Sequence, residues 1–177
     1  MIRAARLAIA LLLGACAGAP EAPPPATVAA VDLQRYAGTW YEVARFPNSF
    51  QDGGGRACTA TTATYSGRPD GRIGVLNRCL DASGQEVSAS ATAYPVEGSA
   101  NARLRVTFFW PFYGDYWVIG LDPDYRWAVV GAPGRNFLWI LSRSPGLAAG
   151  DYAEAVGIAA AQGFAIHRLR PTPQPGT

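Results

Sequence analysis

The chain has 177 residues, of which 49% are hydrophobic and 16% charged, with 15 basic residues against 13 acidic ones and a single histidine. Every basic residue is arginine, and Arg3 and Arg6 fall in the segment read below as a leader, so that without them the two signs balance at 13 each. A chain this close to neutral has no cationic excess to hold a phosphate backbone, which excludes nucleic acid as a partner.

In chain order, Arg3 and Arg6 precede an apolar run from Leu7 to Leu13, and Gly14, Ala15 and Cys16 follow. That charged, apolar, small-residue order is the pattern of an export signal over residues 1–15, and the run is too short to span a bilayer. Leu13-Gly-Ala-Cys16 resembles the bacterial lipobox, which implies that Cys16 is lipidated and becomes the first residue of the mature chain. The stretch AGAPEAPPPATVAA, residues 17 to 30, is mostly Pro and Ala without periodicity. Residues 16–30 are therefore expected to form an extended tether, at roughly 3 Å per residue. One domain is expected over residues 31–170, with residues 171–177 as a disordered tail.

Strand patterns dominate that domain. From Gly38 the alternation places Trp40, Glu42, Ala44 and Phe46 on one face. Thr59 to Tyr65 and Ile73 to Cys79 flank the turn Arg68-Pro69-Asp70-Gly71. Val87 to Tyr94 follows the turn at Asp81 to Gly84. In ARLRVTFFW, Leu104, Val106, Phe108 and Trp110 take one face, while Arg103, Arg105 and Thr107 take the other. Pro111 and Gly114 interrupt; DYWVIGL, YRWAVVGA and NFLWILSR then complete eight runs separated by turn residues. This is the pattern of a sandwich or an up-and-down barrel. Helix is expected only from Asp151, as N-cap, through Gln162, with its apolar stripe on the outside of the sheet, and Phe164 to Leu169 is a candidate further short strand.

With Cys16 taken by lipid, Cys58 and Cys79 remain in an exported chain, and such thiols are expected to pair. A symmetric hairpin sets Cys79 opposite Ala60 and makes the two cysteines diagonal neighbours; a one-residue bulge would put them on opposite faces.

The stretches DLQRYAGTWYEVARFPNSFQ, FFWPFYGDYWVIGLDPDYRWAVVGAP and NFLWILSR closely resemble the lipocalins, in particular the bacterial outer-membrane lipoprotein members and their apolipoprotein D-like relatives. Gly38-x-Trp40 resembles the first family signature. Asp124 and Tyr125 stand where the second ends, with Pro123 in place of its usual Thr, and Arg143 stands where the third keeps its arginine. The resemblance implies an all-β fold: an eight-stranded antiparallel up-and-down barrel, closed at one end by a helical turn about Asp32 to Tyr36, with one C-terminal helix packed outside. It also implies that Trp40 plugs the closed end with Arg143 laid across it. Ala44, Phe46 and Phe50, climbing toward the mouth, are candidates for ligand lining. So are Tyr65, Val75, Asn77, Val106, Phe108, Trp110, Tyr113, Tyr116 and Val118, placed by alternation. Tyr65 and Val75 share the interior only if the hairpin carries a bulge.

An apolar cup of this kind favours acyl chains, by about 0.8 kcal/mol per buried CH₂. The expected function is a carrier of fatty acids or lysophospholipids, monomeric or homodimeric, anchored through Cys16 to the outer membrane and facing the periplasm. Ala17 is not the Asp that, in similar proteins, retains lipoproteins at the inner membrane. An enzyme on the same fold would need a nucleophile beside a base. The single His167 lies in the last run, and Glu42 is the other candidate acid or base. One histidine, an initiator methionine and no carboxylate cluster offer no set of haem or metal ligands, so no cofactor is expected. An envelope role through partner proteins, without cargo, is the remaining alternative.

Overall fold

The structure, a computed structural model, describes residues 22–54 and 56–176; the leader, Cys16 and the start of the tether lie outside the described residues. Eight antiparallel strands follow one another: β1 (Gly38–Arg45), β2 (Thr59–Gly67), β3 (Ile73–Leu80), β4 (Glu86–Pro95), β5 (Arg103–Phe109), β6 (Phe112–Leu121), β7 (Trp127–Gly131) and β8 (Leu138–Ser142). β1 bonds to β2 along one edge and to β8 along the other, so the sheet closes into the expected barrel. Closure removes the unpaired edges that an open sheet of this length would expose. Helix α1 (Leu33–Tyr36) lies at one end with the β2–β3, β4–β5 and β6–β7 turns; helix α2 (Ser49–Asp52) lies at the other, with the β3–β4, β5–β6 and β7–β8 turns. We call these the closed and open ends.

Two buried clusters result. One fills the barrel from Trp40 and Tyr36 through Tyr65, Val75, Leu104, Val118 and Val130 to Leu141. The other lies outside the wall, under helix α3 (Ala149–Ala161), where Ala155 and Ala159 meet Ile119, Val129 and Ile140. Close approach there depends on glycine: a Cβ on Gly131 would stand 2.5 Å from the Phe164 ring, and one on Gly120 would stand 3.1 Å from Ile158. The N-cap of α3 is Ala148 rather than the expected Asp151, which sits in the first turn and accepts from the Arg126 guanidinium at 3.1 Å. Residues 164–169 do not form the extra strand. Ile166–Arg168 is a 3₁₀ turn, and the ninth strand, β9, is Arg170–Pro171 against β1.

The β2–β3 hairpin departs from the symmetric register. Arg68 N donates to Arg72 O, and Gly71 N donates to Arg68 O with Gly71 at φ +77°. A turn closed by a left-handed glycine adds one residue to the loop and moves the pairing by one. Tyr65 therefore stands opposite Val75 and Ala63 opposite Asn77, so that Ala63 and Tyr65, rather than Thr62 and Thr64, face inward with Val75 and Asn77. A second shift, between Thr59 and Thr62 with Ala60 at φ +50°, brings Cys58 back to Cys79. Those two are disulfide-bonded, with Cα atoms 5.4 Å apart.

Both ends of the described residues are tied to the barrel. Beyond Tyr41 and Thr62, where β1 and β2 cease to pair, the C-terminal segment enters the seam. Thr172 N donates to Val43 O, Ala60 N donates to Pro173 O, and the Gln174 amide spans Glu42 O and Thr61 O at 2.9 Å each. Thr172 and Gln174 are buried, so the expected disordered tail is in fact a seal as far as residue 174. At the other terminus Val31 N donates to Ala100 O, Val28 N to Val118 O, and Pro23 O accepts from the Arg135 guanidinium, so the later part of the expected tether is a strap on the wall. Removing residues 171–177 should lower stability by about 2–4 kcal/mol in urea unfolding, because the carbonyls of Glu42, Val43 and Thr61 and the buried Glu42 carboxylate each lose a donor.

Candidate functional site

The floor of the barrel is set by Trp40. Its ring is 0% exposed, its Nε1 donates to Tyr36 O at 2.8 Å, and the Arg143 guanidinium lies 3.9 Å from the ring centroid. Arg143 also donates to Thr39 O at 3.0 Å and to Arg35 O at 2.6 Å, so one planar cation ties β8 to β1 and to α1. Gly38 has φ +94°, and a Cβ there would reach 3.4 Å from that guanidinium, which explains the glycine of the first motif. Tyr125, at φ +61°, lies under Arg35 and accepts from Asp32 N at 2.9 Å. Asp124 is exposed; the carboxylate that organises this turn is Asp122, which accepts from Asp124 N and from Arg126. None of these groups faces the open cup.

Above the tryptophan, three tyrosines converge. Tyr116 Oη lies 2.8 Å from both Tyr36 Oη and Tyr65 Oη. Burial pushes the phenol of Tyr65 up to about 12 and those of Tyr36 and Tyr116 well above the ordinary value, so the triad stays neutral through the physiological range. Tyr116 stands opposite Leu104, and Val118 opposite Val130, filling the lower barrel.

Higher up, the wall changes character. Continuing the pairings from Tyr65 and Val75, the inward positions of β2 to β4 are Ala63, Asn77, Ala91 and Ala89, and Val106 on β5 faces Gly114 on β6. Small residues on successive strands leave room that large ones would fill. Two polar atoms lie on this side of the wall: Asn77 Oδ1 and Thr61 Oγ1 are buried and without a hydrogen-bond partner. Orphaned acceptors in an apolar wall are costly unless something supplies a donor. Of the positions expected to line a ligand, Tyr65, Val75, Asn77, Val106, Tyr116 and Val118 therefore share the interior. Ala63, Ala89, Ala91 and Thr61 were not among the expected positions; Ala63 and Thr61 depend on the shifted β2–β3 register, whereas Ala89 and Ala91 take their places through pairing with Asn77 and Val75.

The remaining expected lining residues lie elsewhere. Ala44 and Phe46 are fully buried, but outside the barrel: Ala44 pairs with Ile140 in the cluster under α3, and Phe46 packs on Phe164 with the Arg168 guanidinium over its ring. The cause is a shift in β1 between Glu42 and Ala44, which turns Arg45 inward opposite Trp139 and sends the next residue out. Tyr113 packs on Tyr94 and under Arg105, on the outer face, because Gly114, Tyr116 and Val118 take the inward positions of β6 and alternation turns Tyr113 the other way. Phe50, Phe108 and Trp110 are exposed at the rim.

A polar cluster fixes one side of that rim. Glu42, 3% exposed, accepts from Arg45 at 2.6 Å, from Thr172 at 2.5 Å and from Gln51 at 2.6 Å, and Gln51 in turn accepts from Trp139 Nε1 at 3.0 Å. Arg45 also pairs with Asp52 of α2 and donates to Cys58 O at 3.1 Å. Burial raises the Asp52 pKa, but the Arg45 guanidinium and the Asn48 N–H outweigh it and hold the carboxyl below its usual range.

A lipocalin-like domain matches residues 31–174. The chain is 40% identical over 174 residues to outer membrane lipoprotein Blc of Citrobacter freundii, spanning 97% of this chain and 96% of that one. It is 39% identical over 158 residues to temperature-induced lipocalin-1 of Arabidopsis thaliana, spanning 85% and 83%. Lobster apocrustacyanin A1 superposes with a TM-score of 0.67 over 89% of this chain and 93% of that one, at 18% identity, a likeness of fold.

Arg143→Ala should destabilise the barrel by about 2–4 kcal/mol, since it removes a cation from an aromatic face and two charge-assisted bonds to backbone carbonyls. Arg143→Lys should recover less than half of that in the same unfolding titration, because an ammonium cannot span both carbonyls. The Asp52 contribution is fully present above its unfolded value near pH ~4 and is lost as pH falls through its lower folded value. Asp52→Asn should therefore flatten the acid limb of the melting-temperature profile.

Proposed function

The chain belongs to the lipocalin family, and on that premise we propose that it is a lipid-anchored carrier of the bacterial outer membrane that takes the acyl chain of a fatty acid or lysophospholipid into the open half of its barrel. The observation that carries this reading is the upper lumen: alanines and Gly114 on successive strands, with the orphaned oxygens of Asn77 and Thr61 among them. An apolar wall favours hydrocarbon, and each buried CH₂ contributes about 0.8 kcal/mol. The polar pair suits a ligand that carries a hydrogen-bond donor near its head, such as the hydroxyl of a lysophospholipid glycerol. The tyrosine triad sets the depth at which the chain stops, leaving the head toward the mouth.

We read the protein as a binder rather than a catalyst. His167 lies exposed on the 3₁₀ turn, and the carboxylate of Glu42 is engaged by three donors that hold the seam and α2. Membrane attachment through a lipidated Cys16 is proposed from the lipobox, with the domain facing the periplasm; the Citrobacter relative is named an outer membrane lipoprotein. A role in envelope maintenance follows from such a cargo in such a place.

The delipidated chain should bind a fluorescent fatty acid saturably and release it to oleate or lysophospholipid. Ala91→Trp, which fills the upper lumen, should weaken that binding by about tenfold or more while Asn77→Ala affects the lysophospholipid more than the fatty acid. Unsaturable fluorescence, or binding indifferent to Ala91→Trp in a folded variant, would exclude carriage. Native mass spectrometry of protein taken from its own host should show a co-purified lipid, and the mass of its N-terminal peptide should show acylation at Cys16.

A further inference from the structure

The β5–β6 hairpin ends in a tip that the fold does not use. Phe109, Trp110 and Phe112 are 79%, 80% and 77% exposed, far beyond the scattered apolar exposure normal for a surface. Across the open end, Phe50 is 49% exposed and packs on Phe137 of the β7–β8 turn. The same rim therefore carries aromatic side chains on two sides of the mouth. The opposite end differs in kind: its turns present charged Arg35, Asp70, Arg72, Glu97, Asp124 and Arg126 to solvent.

The path of the N-terminal strap supplies an independent observation. It leaves the closed end at Val31, bonded to Ala100, passes Val28 on β6, and reaches the β7–β8 turn, where Arg135 donates to Pro23 O. The chain thus departs from the open rim and not from the base. Cys16 is seven residues beyond Pro23, a span of roughly 20 Å at about 3 Å per extended residue. An anchor at that distance brings the rim to the membrane surface.

We propose that the open rim docks on the lipid bilayer that holds the anchor, with Phe109, Trp110 and Phe112 as a wedge in the interfacial layer and the cup facing the membrane. The orientation rests on the reading of Cys16 as lipidated; the wedge itself does not. Tryptophan and phenylalanine favour the headgroup boundary, where an apolar ring is buried while the backbone of the tip stays hydrated. In that position a hydrocarbon chain passes between bilayer and lumen past the aromatic rim, with little exposure to water.

The test uses residues 16–177 with Cys16→Ser, which contain the whole described barrel but carry no lipid, and vesicles of phosphatidylethanolamine and phosphatidylglycerol with a shallowly brominated acyl chain. The parent should sediment with the vesicles, and its tryptophan fluorescence should be quenched; Trp110→Phe should remove most of the quenching and keep partition within about threefold. Phe109→Ser, Trp110→Ser and Phe112→Ser together should reduce partition about tenfold or more, with melting and fatty-acid displacement unchanged. No quenching dependent on Trp110, or a triple variant that partitions like the parent, overturns the proposal. A parent that is dimeric without vesicles and becomes monomeric in the triple variant, with no quenching by bromolipid, assigns the tip to a second copy and overturns it as well. Failure of the carrier reading registers separately, as absent displacement by the parent chain.

Discussion

Strand β1 is hydrogen-bonded along both edges, and the rest of the molecule depends on that. A sheet of eight twisted strands either leaves two edges open or rolls until its first and last strands meet, and here β1 meets β8 along one edge and β2 along the other. The meeting is imperfect. β1 and β2 part after Tyr41 and Thr62, and a shift in β1 at Glu42 turns Arg45 into the barrel. Buried charge at this seam is tolerated because Glu42, Arg45, Asp52, Gln51 and Thr172 satisfy one another, and because Gln174 caps the two carbonyls left bare. The same cluster holds α2 at the mouth, so a structural repair of the seam also shapes the entrance.

At the closed end the problem is reversed. The barrel must be stoppered without leaving backbone carbonyls of α1 and β1 unpaired, and Arg143 does both with one side chain. A planar guanidinium is suited to this, since it can lie on a ring face while its edge donates twice. The plug makes the lumen blind, and the neutral tyrosine triad above it forms a floor that does not ionise. Between floor and rim, the wall narrows to alanine and glycine. A barrel stoppered at one end leaves the other as its mouth, and aromatic residues concentrate there.

Much of this was legible in the residues themselves. Alternation and turn signals gave eight strands in the right places, because a strand with one buried face must repeat every second residue. The signatures located the plug at Trp40, Gly38 and Arg143. Two cysteines left over in a chain read as exported pointed to the disulfide. The failures have a common cause. Ala44 and Phe46 were expected in the cup, yet both face outward, because a single-residue shift in β1 reverses the side chains that follow, and Tyr113 faces outward because it alternates with the inward Gly114 and Tyr116. Residues 171–174 read as tail because Pro, Thr and Gln carry no periodicity, and the hydrogen bonds that bury Thr172 and Gln174 reach residues more than a hundred positions away.

The sequence alone determined the class of fold, the eight strands of the barrel and the plug, since each depends on residues near one another or on a motif of fixed spacing. Which side chains face the lumen, where the C-terminal segment ends, and that the N-terminal strap leaves from the rim were decided only in three dimensions. Those properties follow from how strands distant in the chain come into register when the sheet closes, and a one-residue displacement there leaves no mark on local composition.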